Sequence, residues 1–510
     1  MSSIAPAPAR AGVVFLAVGD GYQARSLLRS GVFATLKEHV DKLVVLAPNP
    51  DEEYLRRELQ APNVVVEDLQ VDGATAYMGR NRVQNVLRRV RNYALEVKGA
   101  RALNDKAWWR MPRGGGRWWV KGGTNALIWT CQHSALTRRG LVAAENALMP
   151  AGFFAPLFER YGPGLVVTAA PGYLPHDTLL LREARRRGIQ TVCVITSWDA
   201  PHNMGLRGAR PDYVVVWSEV QKREVVRYQG FRPERVVVGG MPAFDVYRNT
   251  HHWPSREDLF ARYGLDPQRK LIMFATKSPA VYLHIRIMEA LVKAIGDGRF
   301  SYPAQLLARL HPLHFTSFLA NSPALQSIMA EYQALAAQTS YLAFSIPQVV
   351  STKMDNDMPG EARELACLLH HTDVLINLFS TIQLEACLAD VPVINVAFDP
   401  PRGELPDGNT LLPSQARQGY RLRPIAVDVG QPQGQRVVAS RATRQAHSIE
   451  ELIALTNRYL QEPALEADER RRLAEEECGP TDGHAGERVG QFLLGLLGTP
   501  KRSSVAVAPE

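Results

Sequence analysis

Two hydroxyl residues and one carboxylate stand in a segment whose pattern suits phosphate and sugar binding. Ser380 and Thr381 follow the apolar run 374–376, and Glu385 comes one helical turn later. A helix that begins directly after a buried strand leaves its first backbone N–H groups free, and these groups and the helix dipole attract anions. Glu385 would then accept hydrogen bonds from a sugar diol. An ordinary strand–turn–helix unit with a hydroxyl cap and a solvated glutamate is the alternative.

Imidazole and ammonium groups follow two other predicted strands. His311 stands after the apolar run 304–309, and Lys277 follows the run 271–275. Either side chain could neutralise the negative charge that develops on a leaving diphosphate in the absence of a metal ion. A half-buried His-Pro turn and an ordinary loop lysine are the alternatives for these two residues.

Three acidic positions are candidates for the general base that an attacking hydroxyl needs. Asp20 lies between two glycines after the first predicted strand, where the backbone can approach a ligand closely. Asp199 lies on a loop, and the pair His176 and Asp177 follows a Pro-Gly turn. A turn aspartate that caps the next helix is the alternative for Asp20, and helix capping is the simpler role for the pair.

Positive charge is concentrated in one part of the chain, whose formal net charge is +8. Residues 80–139 hold 14 lysines and arginines against two acids, together with five tryptophans. This mixture suits an anionic membrane surface, where indole rings lie at the headgroup boundary, and it suits stacking on sugar rings or on single-stranded nucleic acid. A solvated basic helix and a loop of inward-packed tryptophans are the alternative. We expect no nucleic-acid partner, because no nucleic-acid motif is present.

Short apolar runs alternate with amphipathic segments through most of the chain, which predicts α/β domains with parallel, doubly wound sheets. The first series of runs begins at 13–18, and the second begins at 271–275 and ends with a predicted strand at 424–427. The alternation breaks in the basic segment, where the glycine-rich stretch 113–123 predicts a mobile loop.

The domain organisation follows from the length and from these two series, because 510 residues are too many for one core. We predict a disordered lead-in over 1–11, an N-terminal domain over 12–250 with the basic, Trp-rich insertion at about 77–140, a C-terminal domain over 257–500 and a disordered tail over 501–510. A cleft between two such domains is the expected active site.

The five cysteines are scattered, without a CxxC pair or a histidine at metal spacing. We therefore expect no metal and a reduced protein. No apolar run is long enough to cross a bilayer, and the N-terminus lacks the basic start and apolar core of a signal peptide. A cytoplasmic location is expected, with peripheral attachment to the inner face of the cell membrane through the basic segment.

A series of motifs between residues 165 and 497 has a recognisable order and spacing. It consists of Thr196-Ser-Trp-Asp199 with Asn203 and Gly205, the runs 211–218 and 238–245, Arg309-Leu-His-Pro312, the segment 373–394, and Thr481-Asp-Gly-His-Ala-Gly-Glu-Arg488. This series resembles CDP-glycerol glycerophosphotransferases and related bacterial surface-polysaccharide glycosyltransferases.

The resemblance implies a GT-B architecture, in which two Rossmann-like doubly wound domains face a central cleft. It implies a nucleotide donor on the C-terminal domain, with Glu385 on the ribose, and an acceptor on the N-terminal domain, near Trp198 and Asn203. The sequence departs from the family where Ala200-Pro-His precedes Asn203. Asn377 stands eight positions before Glu385, where many retaining enzymes have a second glutamate, and this favours inversion.

The function implied is metal-independent transfer of a sugar from a nucleotide-activated donor to a hydroxyl of a surface polysaccharide or glycolipid, with no cofactor beyond the nucleotide-sugar co-substrate. A CDP-alditol polyol-phosphate transferase of the same fold is the first alternative. An enzyme like UDP-N-acetylglucosamine 2-epimerase would need several cleft carboxylates, of which the N-terminal strand ends offer few. A non-catalytic protein that binds nucleic acid or anionic lipid is the alternative from another class.

Overall fold

The computed structural model of the protein describes residues 12–95, 118–149, 151–170, 174–202, 205–250, 253–277, 284–315, 323–347, 360–398 and 425–497. The predicted lead-in and the predicted tail lie outside these residues. The strands form two separate sheets whose strand pairs are parallel. The predicted α/β class with two doubly wound, Rossmann-like domains is therefore confirmed.

Seven strands form the first sheet, in the order β3-β2-β1-β4-β5-β6-β7. They are β1 Val13–Ala17, β2 Lys42–Ala47, β3 Val64–Asp68, β4 Leu165–Thr168, β5 Gln190–Val194, β6 Tyr213–Val216 and β7 Val236–Val238. The central strands are nearly continuous apolar runs, mainly of valine and leucine, because helices cover both faces of the sheet.

Six strands form the second sheet, in the order β10-β9-β8-β11-β12-β13. They are β8 Lys270–Ala275, β9 Ala304–Arg309, β10 Leu342–Ser345, β11 Val374–Asn377, β12 Val393–Val396 and β13 Arg444–Ala446. The strand predicted at 424–427 is wrong, because Ile425–Val429 is a helix. The edge position is taken instead by β13, which pairs with β12.

The helices connect and cover these strands. In the first domain they are α1 Gly21–Leu27, α2 Gly31–His39, α3 Glu53–Glu58, α4 Val71–Gly79, α5 Arg82–Tyr93, α6 Trp118–His133, α7 Ala135–Leu148, α8 Ala155–Tyr161, α9 Pro175–Arg186 and α10 Glu219–Gln229. In the second part of the chain they are α11 Arg256–Tyr263, α12 His284–Gly296, α13 Pro323–Ala337, α14 Glu361–His370, α15 Ile382–Leu388, α16 Ile425–Val429, α17 Pro432–Ser440, α18 Ile449–Gln461, α19 Ala467–Cys478 and α20 Ala485–Leu496.

The last helix returns to the first domain. Val489 and Leu493 of α20 are buried in the core that β1, β2 and α2 form. The start of α20 packs against the start of α2, where a Cβ on Gly486 would lie 2.5 Å from the backbone nitrogen of Gly31. Only glycine permits this approach. Helix α20 therefore packs on the first domain, although α20 follows the second domain in sequence.

The insertion has a small core of its own. Val90, Ala94, Cys131 and Leu141 bring α5, α6 and α7 together. The mobile loop predicted at 113–123 is wrong for residues 118–123, which begin α6, and its other residues lie outside the described ranges. No helix within the part of the chain that the structure describes has the length and apolar character to span a membrane.

Candidate functional site

The order of the strands reverses once in each sheet, between β1 and β4 in the first and between β8 and β11 in the second. Ligands of open parallel sheets bind in the crevice beyond the carboxyl ends of the strands at such a reversal. The two crevices lie close together, because the Tyr22 hydroxyl after β1 is 3.5 Å from Nε2 of His311 after β9. This junction between the domains is the candidate site.

Asp20 lies directly beyond β1 and caps α1. Its Oδ1 accepts a hydrogen bond of 2.9 Å from the backbone N–H of Gln23, and its Oδ2 accepts one of 2.7 Å from the Gln23 side-chain amide. Burial raises the pKa of Asp20 above its usual value despite these donors. A raised pKa suits a base that must take a proton near neutral pH, but the helix cap accounts for the position without that role, which stays a prediction.

His176 and Asp177 begin α9, on the β4 side of the same crevice. His176 is 3% exposed and Asp177 is 1% exposed, and the imidazole Nε2 lies 3.7 Å from the Asp177 carboxylate. Neither ring nitrogen of His176 has a hydrogen-bond partner among the described residues. The Nε2 atom faces the loop before Asp20, since a Cβ on Gly19 would lie 2.8 Å from it.

Burial controls the ionisation of this pair. It lowers the pKa of His176 to about 4, so the imidazole is neutral at neutral pH. Burial and the negative charge of Asp20 raise the pKa of Asp177 well above its usual value, against the opposing effect of the Ala170 backbone N–H. A titratable pair perturbed in this way beside a cleft is a functional-site candidate. Sequence reasoning ranked this pair below Asp20, because the pattern of residue types does not reveal that a His-Asp pair at the start of a helix is buried.

His311 lies on the second domain, where its Nε2 is 3.5 Å from the Tyr22 hydroxyl of the first. Its backbone N–H donates to the Thr276 hydroxyl at 2.9 Å, which fixes the loop after β9. Removal from water, with His314, Lys277 and Arg309 nearby, lowers the pKa of His311 to about 3. The imidazole is therefore neutral at neutral pH and can donate one hydrogen bond to an anion.

Lys277 and the turn at Ser380 lie at the strand reversal of the second sheet. The Lys277 ammonium is 2.9 Å from the Asp428 carboxylate and donates to the Leu378 carbonyl at 3.2 Å. The Ser380 hydroxyl donates to the Asn377 side-chain oxygen at 2.7 Å. Lys277 and Ser380 therefore lie at the carboxyl ends of their strands, as predicted, and both have partners within the protein. Their contact with a diphosphate stays a prediction.

The backbone before α15 has an unusual conformation. Phe379 adopts a φ of 54°, which is rare for a bulky side chain and often marks a functional turn. Thr381 caps α15 without a side-chain hydrogen bond, and the helix has only seven residues. The phosphate cradle predicted for Ser380 and Thr381 thus has the expected strand–turn–helix form, with a short helix behind it.

The Glu385 carboxylate has two partners from other parts of the chain. Its Oε2 accepts from the Arg25 guanidinium at 2.7 Å and from the Tyr247 hydroxyl at 2.6 Å. Glu385 is 6% exposed. A ribose would have to displace these donors, so the ribose-binding role stays a prediction, and the contact seen in the structure is an ion pair between the two domains.

The loop that carries Trp198 and Asp199 packs at the domain junction. Trp198 is 4% exposed, and its indole N–H donates to Glu477 at 2.7 Å. An indole held in this way offers little surface to an acceptor. Asp199 is half-buried and accepts a hydrogen bond of 2.5 Å from the Ser197 hydroxyl. Asn203 lies outside the described residues, so the acceptor site predicted on this loop stays a prediction.

Among the residues with a described position, no group of three or more histidine, cysteine, aspartate or glutamate side chains could hold a metal ion.

Comparison with known proteins finds similarity in structure alone. No protein-family model matches the chain, and no curated protein is detectably similar in sequence. A UDP-GlcNAc 2-epimerase from Neisseria meningitidis bound to UDP-GlcNAc is 11% identical, with a TM-score of 0.50, and the match covers 95% of this chain and 100% of that one. The S. aureus MnaA–UDP structure is 11% identical, with a TM-score of 0.52 and coverage of 95% and 97%.

A third similar structure is a Listeria monocytogenes protein provisionally named a UDP-N-acetylglucosamine 2-epimerase, which is 14% identical, with a TM-score of 0.50 and coverage of 94% and 95%. Identities this low show the fold alone. The chain therefore has the GT-B-like fold that the sequence resemblance implied. None of these three is named as a CDP-glycerol transferase, so that finer resemblance stays a prediction.

Proposed function

We propose that the protein is an enzyme that transfers a sugar from a nucleotide donor to a hydroxyl of a saccharide or lipid-linked acceptor. The observation that carries the proposal is the meeting of two strand reversals, with Asp20, His176 and Asp177 on one side and His311 on the other. The GT-B-like fold supports a nucleotide-sugar ligand at this junction, because two of the similar structures hold UDP or UDP-GlcNAc.

Each side of the junction has a task in this reaction. On the second domain, His311 and Lys277 with the Ser380 turn would stabilise the negative charge on the diphosphate as the bond from the anomeric carbon to the phosphate oxygen breaks. On the first domain, Asp20 would take the proton of the acceptor hydroxyl as its oxygen forms the new bond to that carbon. Asn377 stands where many retaining enzymes have a second glutamate, eight positions before Glu385, so we propose attack from the face opposite the leaving group, with inversion.

A UDP-N-acetylglucosamine 2-epimerase activity is the second candidate. It is favoured by the names of the similar structures and by Asp177, which adds a second carboxyl group beside Asp20. Epimerisation at C2 must remove a proton from one face of the sugar and return one to the other, so it needs two acid–base groups and no acceptor. The CDP-alditol transferase rests on the sequence resemblance alone.

Nucleotide binding in the presence of EDTA tests the proposal. We expect UDP or a UDP-sugar to raise the melting temperature, because a ligand at 100 times its Kd stabilises the native state by about 2.7 kcal/mol. CDP-glycerol and CDP-ribitol are the comparison ligands. A shift with CDP-alditols alone would favour the polyol-phosphate transferase, and no shift with any nucleotide would reject a nucleotide-dependent enzyme.

The two enzyme classes differ in their products. With UDP-GlcNAc in deuterated water and no acceptor, an epimerase incorporates deuterium at C2, which mass spectrometry of the recovered nucleotide sugar detects. A transferase leaves C2 unlabelled and releases UDP at an increased rate when a saccharide or lipid-linked acceptor is added. Deuterium at C2 together with acceptor-independent turnover would overturn the transfer proposal in favour of epimerisation.

The role of His311 predicts a pH dependence of UDP binding. A bound diphosphate favours the imidazolium and should raise the pKa of His311 from its value of about 3 in the free protein. The complex then holds more protons than the free protein, so affinity increases, by at most about tenfold per pH unit, as the pH falls below the pKa of the bound imidazole, and it stops increasing at a pH of about 3. We expect His311→Gln to lose this dependence.

Titration calorimetry across this range measures the effect. The ionisation of UDP itself acts equally on both proteins, so the difference between wild type and H311Q isolates the imidazole. His447→Gln, at an exposed position after β13, is the matched control and should behave as wild type. Identical pH profiles for wild type and H311Q would remove His311 from the diphosphate site.

A further inference from the structure

The helices of the insertion expose an unusual share of apolar surface. Eight large apolar side chains are exposed among the described residues, and five of them lie on α5, α6 and α7. Leu136 is 78% exposed, Leu148 is 74% exposed and Trp129 is 60% exposed. Contiguous exposed apolar patches mark sites of interaction, and the concentration of these side chains on three neighbouring helices makes the insertion a candidate for one.

The outward face of α7 carries almost no charge. Leu136, Ala143, Ala147 and Leu148 are exposed along its length, and Arg139 is the one charged residue among the exposed positions of this helix. Its single acid, Glu145, is fully buried and is paired with arginines of the interior. Trp129 and His133 are exposed at the end of α6, just before α7 begins, and their ring centroids are 4.5 Å apart.

The outward face of α5 adds positive charge. Arg82, Val86, Arg89 and Tyr93 recur at spacings of four, three and four residues, which places them on one side of the helix. The opposite side, with Gln84 and Arg91, is buried, and Val90 lies between the two sides, in the core shared with α6 and α7. The helix contains no acidic residue. Arginines beside exposed apolar groups give a surface that is both basic and amphipathic.

We propose that this insertion surface docks on an anionic phospholipid bilayer. We define the surface by Arg82, Val86, Arg89, Trp129, Leu136 and Arg139. Phospholipid headgroups would pair with the arginines, and the boundary with the acyl chains would take the leucine and the indole. Nucleic acid would satisfy the arginines but would leave the apolar face of α7 in water, so the bilayer is the better match. The proposal does not depend on the sugar chemistry of the cleft.

Co-sedimentation of the full chain with vesicles tests it. We expect pelleting with vesicles that contain phosphatidylglycerol, little pelleting with phosphatidylcholine alone, and a loss of binding at high salt, because ions screen the attraction. Arg82→Ser/Arg89→Ser should lower the partition coefficient about 25-fold, since each arginine at an anionic surface contributes about fivefold. Trp129→Ser/Leu136→Ser should lower it by about tenfold or more, through lost apolar burial.

A matched control comes from the second domain. Tyr302 and Ile346 are 44% and 51% exposed, and Tyr302→Ser/Ile346→Ser should pellet like the wild type. Circular dichroism and the melting temperature verify that each variant is folded. Unchanged pelleting of the arginine and apolar variants would overturn the proposal. So would binding to an RNA or DNA oligonucleotide without binding to anionic vesicles.

Discussion

Replacing Arg25 with methionine is expected to lower the free energy of unfolding by about 3–5 kcal/mol. The Arg25 guanidinium on α1 donates to the Glu385 carboxylate on α15 at 2.7 Å, and the two residues are 8% and 6% exposed. The mutation leaves a buried carboxylate with the Tyr247 hydroxyl as its remaining donor at 2.6 Å. The cost is large because the charge has lost its partner and is shielded from water.

Urea unfolding followed by tryptophan fluorescence measures this loss, since Trp198 and Trp217 are buried near the domain junction. Arg57→Met is the matched control, because its ion pair with Glu53 is exposed and such pairs contribute little. Arg25→Met/Glu385→Leu should recover most of the stability, because it removes both charges. A loss of less than about 1 kcal/mol in the single variant would mean that the pair behaves as an exposed one.

The same ion pair shows what the sequence could not reveal. Arg25 and Glu385 are 360 positions apart, and nothing in the pattern near either residue indicates the other. Sequence reasoning therefore predicted Glu385 as a sugar ligand from its place one turn beyond a strand. In the structure Glu385 lies in the first turn of α15, as predicted from that pattern, and Arg25 is its ion-pair partner. Binding of a ribose at Glu385 would have to compete with Arg25, so nucleotide binding there would be coupled to the contact between the domains.

The strands could be predicted where a short apolar run is bounded by turn residues. The run 304–309 is a strand with the predicted bounds, and the runs 271–275 and 374–376 lie within β8 and β11. The run after 424 contains Ile425-Ala-Val, which is too short for its periodicity to separate helix from strand. The strand Arg444–Ala446 has almost no apolar signal and depends on its pairing with β12.

The site could be predicted to the level of strand ends. Asp20, Lys277 and Ser380 follow β1, β8 and β11, and the strand order places them at the two reversals where ligands bind. The burial of His176 and Asp177 depends on packing between α9 and the loop after β1, which a linear pattern does not contain. Sequence reasoning therefore named both residues but favoured helix capping for them, and it missed their burial.

The second prediction with a large effect concerns which residue is the general base. Asp20→Asn is expected to lower kcat by about 10²–10⁴-fold, the usual contribution of a general base. Asparagine caps a helix as well as aspartate does, so α1 should remain intact and the Kd for the nucleotide should change little. Asp199→Asn, on the rival loop, is expected to retain most of the activity, because its carboxylate accepts a hydrogen bond from Ser197 and its loop follows β5, one strand away from the reversal between β1 and β4.

Initial-rate kinetics would show which of the two aspartates is the base. The assay uses the donor and acceptor that the binding and product assays identify, and the melting temperature verifies that each variant is folded. Asp177→Asn is a third variant in this experiment. Because the charge of Asp20 acts on Asp177, the two carboxyl groups titrate as a pair. Removing Asp177 should therefore change the pH–rate profile as well as the rate. If Asp199→Asn loses activity while Asp20→Asn retains it, the base lies on the 196–199 loop. Asp20, His176 and Asp177, beside β1 and β4, would then have a structural role.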